Sequence, residues 1–163
     1  MELLVEPHTE TQLSTYEIER KKPMPTLIHG AIQFNIGFLL RLTYPNLFRI
    51  ASEVTLATQP DGSTPDLVLY PFGALDFKND PSRRTDAPLL VVEIQSPSQS
   101  TKQMTDKLEP YFYFGVQSCW IVVPEFQGIF VYNSPFSYQF FHHEETLKDT
   151  ALNIEIDLKE VFK

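Results

Sequence analysis

From Thr26 to Thr43 the apolar residues Ile28, Ile32, Ile36, Leu39 and Leu40 recur at steps of three and four, which predicts an amphipathic helix ending at Tyr44-Pro45-Asn46. A shorter helix precedes it. Ser14-x-x-Glu17 is a reciprocal capping pattern, and Lys21, Lys22, Pro23 and Pro25 terminate what it starts. Leu47 to Thr58 changes period: Phe48, Ile50, Val54 and Leu56 alternate with Arg49, Glu53 and Thr55, as in a half-covered strand closed by the Gln59-Pro60-Asp61-Gly62 turn. A short strand is expected over Asp66 to Tyr70, then a long loop from Gly73 to Pro88. Leu89 to Ile94 is apolar except for Glu93 and reads as a strand buried on both faces.

Ser100-x-x-Gln103 caps a further helix expected to run to Phe114 and close at Gly115, with Pro110 at odds with its interior. Strands are expected over Cys119 to Val123, Gly128 to Tyr132 and Tyr138 to Phe141, the first two joined by a turn from Pro124 to Gln127. A short strand near Asn153 to Ile156 and a last turn of helix finish the chain. This order predicts an α+β or α/β sandwich, a mixed sheet flanked by helices. At 163 residues one domain is expected, with residues 1–25 a helix and linker and 26–163 the core.

Composition narrows the function classes. Hydrophobic residues are 42% and aromatics 13%, enough to build a core. Lys+Arg 13 against Asp+Glu 21 gives a net charge of −8, which excludes a broadly basic nucleic-acid surface and leaves only local contacts. Cys119 is the single cysteine, so no internal disulfide or cysteine-based zinc site is available, and a reducing cytoplasm is the expected setting. Met1 to Glu10 carries no basic-then-apolar leader pattern, and Arg41, Glu93 and Pro124 interrupt the most hydrophobic stretches before they could span a bilayer.

Glu93 is the odd residue. Burying an unpaired carboxylate costs on the order of several kcal/mol, so Glu93 requires a partner: a metal ion, or an arginine such as Arg83 or Arg84 at the strand's exit. Asp66 begins the neighbouring strand, and two carboxylates on adjacent strands suit a hard divalent cation completed by water and phosphate. Taken singly, Asp66 is also an ordinary turn residue after Pro65. Lys107, on the helix after the Glu93 strand, has the reach to return over the sheet end, and Tyr111 lies one turn on along the same face. A solvated lysine and a packing aromatic are the plain alternatives.

The pattern Pro65-Asp66, Glu93-x-Gln95, then Lys107 resembles the PD-(D/E)XK nuclease superfamily, with glutamine where the signature lysine belongs. More closely, the chain resembles the Uma-type family of putative restriction endonucleases, formerly a domain of unknown function. The matching segments are Glu19-Arg-Lys-Lys-Pro-Met-Pro25, His29-Gly30, Tyr44-Pro45, Pro65-Asp66-Leu-Val-Leu-Tyr-Pro71, Pro88-Leu-Leu-Val-Val-Glu-Ile-Gln-Ser-Pro-Ser98, Asp106-Lys107, Tyr111-Phe112, Gly115-Val116 and Cys119-Trp120-Ile-Val. The resemblance implies a restriction-endonuclease-like core, a mixed four-stranded sheet between helices. It also implies magnesium or manganese held by Asp66, Glu93 and the Ile94 carbonyl, with Lys107 replacing the charge that Gln95 lacks and Gln95 orienting a water.

The expectation is therefore a metal-dependent endonuclease acting on DNA, able to pair as a homodimer through aromatics between Phe126 and Phe141, with Arg20, Lys21, Lys22, Arg83 and Arg84 as local phosphate contacts. Its rival is a nuclease-fold binding or assembly module without cleavage, favoured by Gln95 and the −8 charge. A two-carboxylate glycoside hydrolase lacks an aromatic sugar platform. Glu53 is a further acidic candidate that alternation places on the solvated face, and His29 is expected at the surface of a helix end. His142-His143-Glu144-Glu145 carries ligand-type groups, but adjacent strand positions face opposite ways. No Gly-rich phosphate loop and no Gly-x-Ser-x-Gly setting occurs.

Overall fold

A computed structural model describes residues 12–163; the reading of Met1 to Glu10 lies outside the described residues. Helices α1 (Thr15–Arg20) and α2 (Leu27–Thr43) lead into β1 (Phe48–Ser52), β2 (Leu67–Pro71) and β3 (Leu90–Ile94). Helices α3 (Thr101–Thr105) and α4 (Leu108–Phe114) precede β4 (Ser118–Val123), β5 (Gly128–Ser134), β6 (Ser137–His142), β7 (Thr146–Asp149), β8 (Ile154–Asp157) and α5 (Leu158–Val161). The sheet order is β1-β2-β3-β4-β5-β6, the six strands expected between Leu47 and Phe141 joined in one sheet larger than the four-stranded core that the resemblance implies, and β7-β8 form a separate ribbon. All neighbours are antiparallel except β3 and β4, the parallel pair that the α3–α4 crossover joins.

Alternation along β3 and β4 builds two cores. Leu90, Val92, Ile94, Trp120 and Val122 pack with Ile32, Ile36 and Leu40 of α2 and with the β7–β8–α5 tail. Val91, Cys119 and Ile121 turn the other way, onto Met104, Leu108 and Tyr111 of α3 and α4. Trp120 and Ser118 also donate side-chain hydrogen bonds of 2.9 and 3.1 Å to the buried Asp149 carboxylate, which fastens β7 to the sheet. The β7 strand had no sequence reading, because a four-residue strand with two charges shows too little alternation.

Two expected elements are corrected. The strand foreseen to Thr58 ends at Ser52, because Glu53 takes a left-handed φ of 56° and its amide turns to the Asp66 carbonyl at 3.1 Å. The helix foreseen from Ser100 to Phe114 is broken at Asp106-Lys107. Pro110 has no amide to donate to the Asp106 carbonyl; in the first turn of a new helix that loss is harmless. The break makes Lys107 the N-cap of α4, and Gly115 closes α4 at φ 119°.

Candidate active site

Strand register sets the carboxylates. One step beyond the Leu67–Val92 pair, Asp66 lies opposite Glu93, and each retains 2% exposure. Asp66 Oδ2 accepts the Ile94 amide at 2.7 Å, so Oδ1 is the oxygen left for the site. Glu93 Oε1 accepts the buried Tyr111 hydroxyl, and Oε2 is left facing the same opening. The residues around them divide the compensation. Lys107 Nζ is 3.1 Å from Glu93 Oε2. Lys22 Nζ is 2.9 Å from Asp66 Oδ1 and 3.6 Å from Glu93 Oε2, so one ammonium touches both acids. His29 Nε2 is 3.3 Å from Asp66 Oδ1, while its Nδ1 is buried without a partner among the described residues.

The electrostatics follow the contacts. Burial pushes the Asp66 carboxyl up, but the His29 hydrogen bond, the Lys22 charge and the Ile94 amide outweigh it and hold Asp66 at about 2. Burial disfavours the Lys22 ammonium, yet the charges of Glu93 and Asp66 raise its pKa above the ordinary lysine value. Tyr111 is pushed well up by burial and by Glu93, so it stays a neutral donor. The Cys119 thiol, fully buried behind them, is likewise pushed well up and stays protonated.

Other candidates fall elsewhere. The Gln95 side chain donates to the Gln99 carbonyl at 2.9 Å and makes no hydrogen bond to either carboxylate among the described residues. Glu53 is no bare solvated side chain: Tyr16 donates to its Oε1 at 2.6 Å and Arg20 lies 3.9 Å from the same oxygen, tying α1 over the site. His29, expected at the surface, is buried against Asp66. Arg84 pairs with Asp86 and Arg83 donates to the Asp61 carbonyl, so neither meets Glu93. The His142 and His143 rings approach each other because β6 ends and His143 takes a positive φ, contrary to the alternating geometry expected; His142 pairs with Glu145 on the exposed surface.

Lys22 and His29 are the site residues that pattern reading missed as such. In the sequence Lys22 has the look of a helix terminator and phosphate contact; its neighbour Lys21, in a left-handed C-cap at φ 54°, turns the chain inward. The only sequence signal was their place in the matching segments Glu19 to Pro25 and His29-Gly30.

Among the described residues no three His, Cys, Asp or Glu side chains gather as a metal cluster. The donor set still fits a hard cation. Two carboxylate oxygens from opposed strands converge on one point, and a cationic nitrogen lies there, which is the charge and the geometry that a magnesium or manganese site with two protein carboxylates presents. From Glu93 a cleft of about 380 Å³ opens to solvent between Arg20, Lys21, Arg83 and Lys107.

The mixed six-stranded sheet with one helical crossover and flanking helices is a restriction-endonuclease-like fold. The chain overlays with a TM-score of 0.73 on the crystal structure of a putative nuclease belonging to DUF820 from Anabaena variabilis, at 21% identity over 86% of this chain and 83% of that one, which is a likeness of fold. The family model of Uma2, described as putative restriction endonuclease, matches residues 2–159, and the chain belongs to that family. No curated protein matches it.

Proposed function

We propose that the chain is a metal-dependent endonuclease that hydrolyses phosphodiester bonds of DNA in the cytoplasm. The observation that carries this reading is the convergence of Asp66 Oδ1 and Glu93 Oε2 on one point, with Glu93 also lining an open cleft in which five cationic side chains outnumber Glu19, Asp61 and Glu93 itself. Asp66, Glu93 and the Ile94 carbonyl would hold magnesium or manganese, which when bound polarises the phosphate and makes a water more acidic. The protein's own part is orientation and charge. Tyr111 fixes the Glu93 carboxylate by donating to Oε1, and the Ile94 amide fixes Asp66 through Oδ2, so the remaining oxygens point one way. Lys107 Nζ, 3.1 Å from Glu93, supplies the positive charge that Gln95 lacks and offsets charge developing on the phosphoryl group. Arg20, Lys21 and Arg83 line the approach beside Glu19 and Asp61, and a phosphate backbone would take over Lys21 from its 3.6 Å pair with Asp61.

The test is nicking of supercoiled plasmid in magnesium or manganese. Nicking by the intact chain, lowered about 100-fold or more in Lys107→Ala with the fold retained by circular dichroism, is the expected result; unchanged nicking in Lys107→Ala removes that residue from the mechanism.

A non-catalytic reading has its own support in the commitment of Gln95 to the Gln99 carbonyl and in the acidic total. Absence of nicking by a chain that binds metal would favour it. Homodimerisation would use edge strand β6, where Tyr138 and Phe140 are exposed, together with exposed Phe136 in the turn before it. Light scattering at micromolar concentration should give twice the 18.8 kDa chain mass; the single-chain mass would rule this pairing out.

A further inference from the structure

Lys22 is an unusual lysine. Its side chain keeps only 10% exposure, and its ammonium bridges both candidate metal ligands from the point on which their free oxygens converge. The remaining cavity among Lys22, His29, Asp66 and Glu93 is about 10 Å³, room for at most one water-sized group. A divalent cation that keeps several waters does not fit beside the ammonium. Charge argues the same way. Asp66 and Glu93 are matched by Lys22 and Lys107, so a doubly charged ion added without loss of a cation would meet two ammonium groups in a poorly solvated site.

The segment that carries Lys22 can withdraw. Helix α1 buries none of its residues, and it is held over the site by Tyr16 and Arg20 on Glu53. Lys22 also borders the open cleft beside Lys21 and Arg83, where its side chain has space and solvent. We infer that Lys22 is a built-in counter-cation of the Asp66–Glu93 pair, which occupies the divalent-cation position in the resting protein and is displaced into the cleft when the metal enters. This rests on the proposed metal site and adds to it a competitor within the chain. The site then resists stray cations, and its carboxylates never face one another uncompensated.

The measurement is manganese binding by calorimetry at pH 8 on the intact chain and on Lys22→Met. Removal of the competitor should tighten manganese binding at least tenfold. Equal or weaker binding in Lys22→Met would overturn the inference while leaving the metal site standing. Absence of binding in both would overturn the metal site and the competition together. Should Lys22→Met fail to fold, the intact chain supplies a second readout. Acetylation of Lys22 by an amine-reactive ester, followed by mass spectrometry with exposed Lys102 as reference, should rise several-fold on addition of manganese. Unchanged Lys22 reactivity at a manganese concentration that saturates binding would overturn the inference.

Discussion

Asp66 couples the site to acid stability. Its carboxyl titrates at about 2 in the folded protein against 3.8 for an ordinary aspartate, so the folded state binds the proton less readily than the unfolded one. The resulting stabilisation is present above pH 3.8 and is lost as pH falls toward 2, and it amounts to about 2 kcal/mol. Lys22 has the opposite sign: its raised pKa stabilises the fold below 10.5 and is lost as pH rises past its folded value. Urea unfolding across pH should show a plateau between these limits. The stability gap between the intact chain and Asp66→Asn should narrow by about 2 kcal/mol from about pH 5 to about pH 2; a constant gap would mean that Asp66 is not held in its charged form. At this scale the sequence displayed its acids well, because Glu93 stands alone in an apolar run and Asp66 begins the neighbouring strand. Their cations were harder to see. A lysine in a polar linker carries no local mark of burial, and the inward course of Lys22 depends on the left-handed turn at Lys21, a residue type that seldom signals one.

At the scale of elements, chain reversals place the chemistry. The break at Asp106-Lys107 sets Lys107 at the head of α4 with Tyr111 one turn on, both reaching Glu93 on the strand just crossed. Gly115 then ends α4 at φ 119°, with the Ala87 Cβ only 3.2 Å from where a side chain would begin. Gly115→Ala should therefore cost about 1–2 kcal/mol in urea unfolding; a cost near zero would show that the α4 terminus relaxes freely. Capping boxes at Ser14 and Ser100 made both helix starts readable, and the apolar step pattern gave α2. Element ends were less legible. The stop of β1 at Ser52 is a backbone event at Glu53, which the alternation continues straight through, and the helix break hinges on whether Pro110 sits in an interior or a first turn.

For the whole molecule, the mixed layered architecture and the six strands of the main sheet followed from the order of periods along the chain, but the β7–β8 ribbon did not. The crossover between β3 and β4 gives the parallel pair at the centre, whereas β7 and β8 leave the main sheet to cover α2 and α5, a long-range choice no local pattern records. Overall charge and local charge also part company: a −8 chain places Arg20, Lys21, Arg83 and Lys107 around one cleft, where these cationic side chains outnumber Glu19, Asp61 and Glu93. DNA binding should accordingly weaken with salt with a log–log slope of about −3 to −4, one phosphate for each of these side chains; a slope steeper than about −6 would require a contact surface outside the cleft. Whether Asp66 and Glu93 together form a cation site that cuts DNA is tested most directly by magnesium and manganese calorimetry on the intact chain, Asp66→Asn and Glu93→Gln, with plasmid nicking on the same samples. Binding and nicking by the intact chain, both lost in each variant, is the predicted result; nicking that survives in either variant, or no binding by the intact chain, would contradict it.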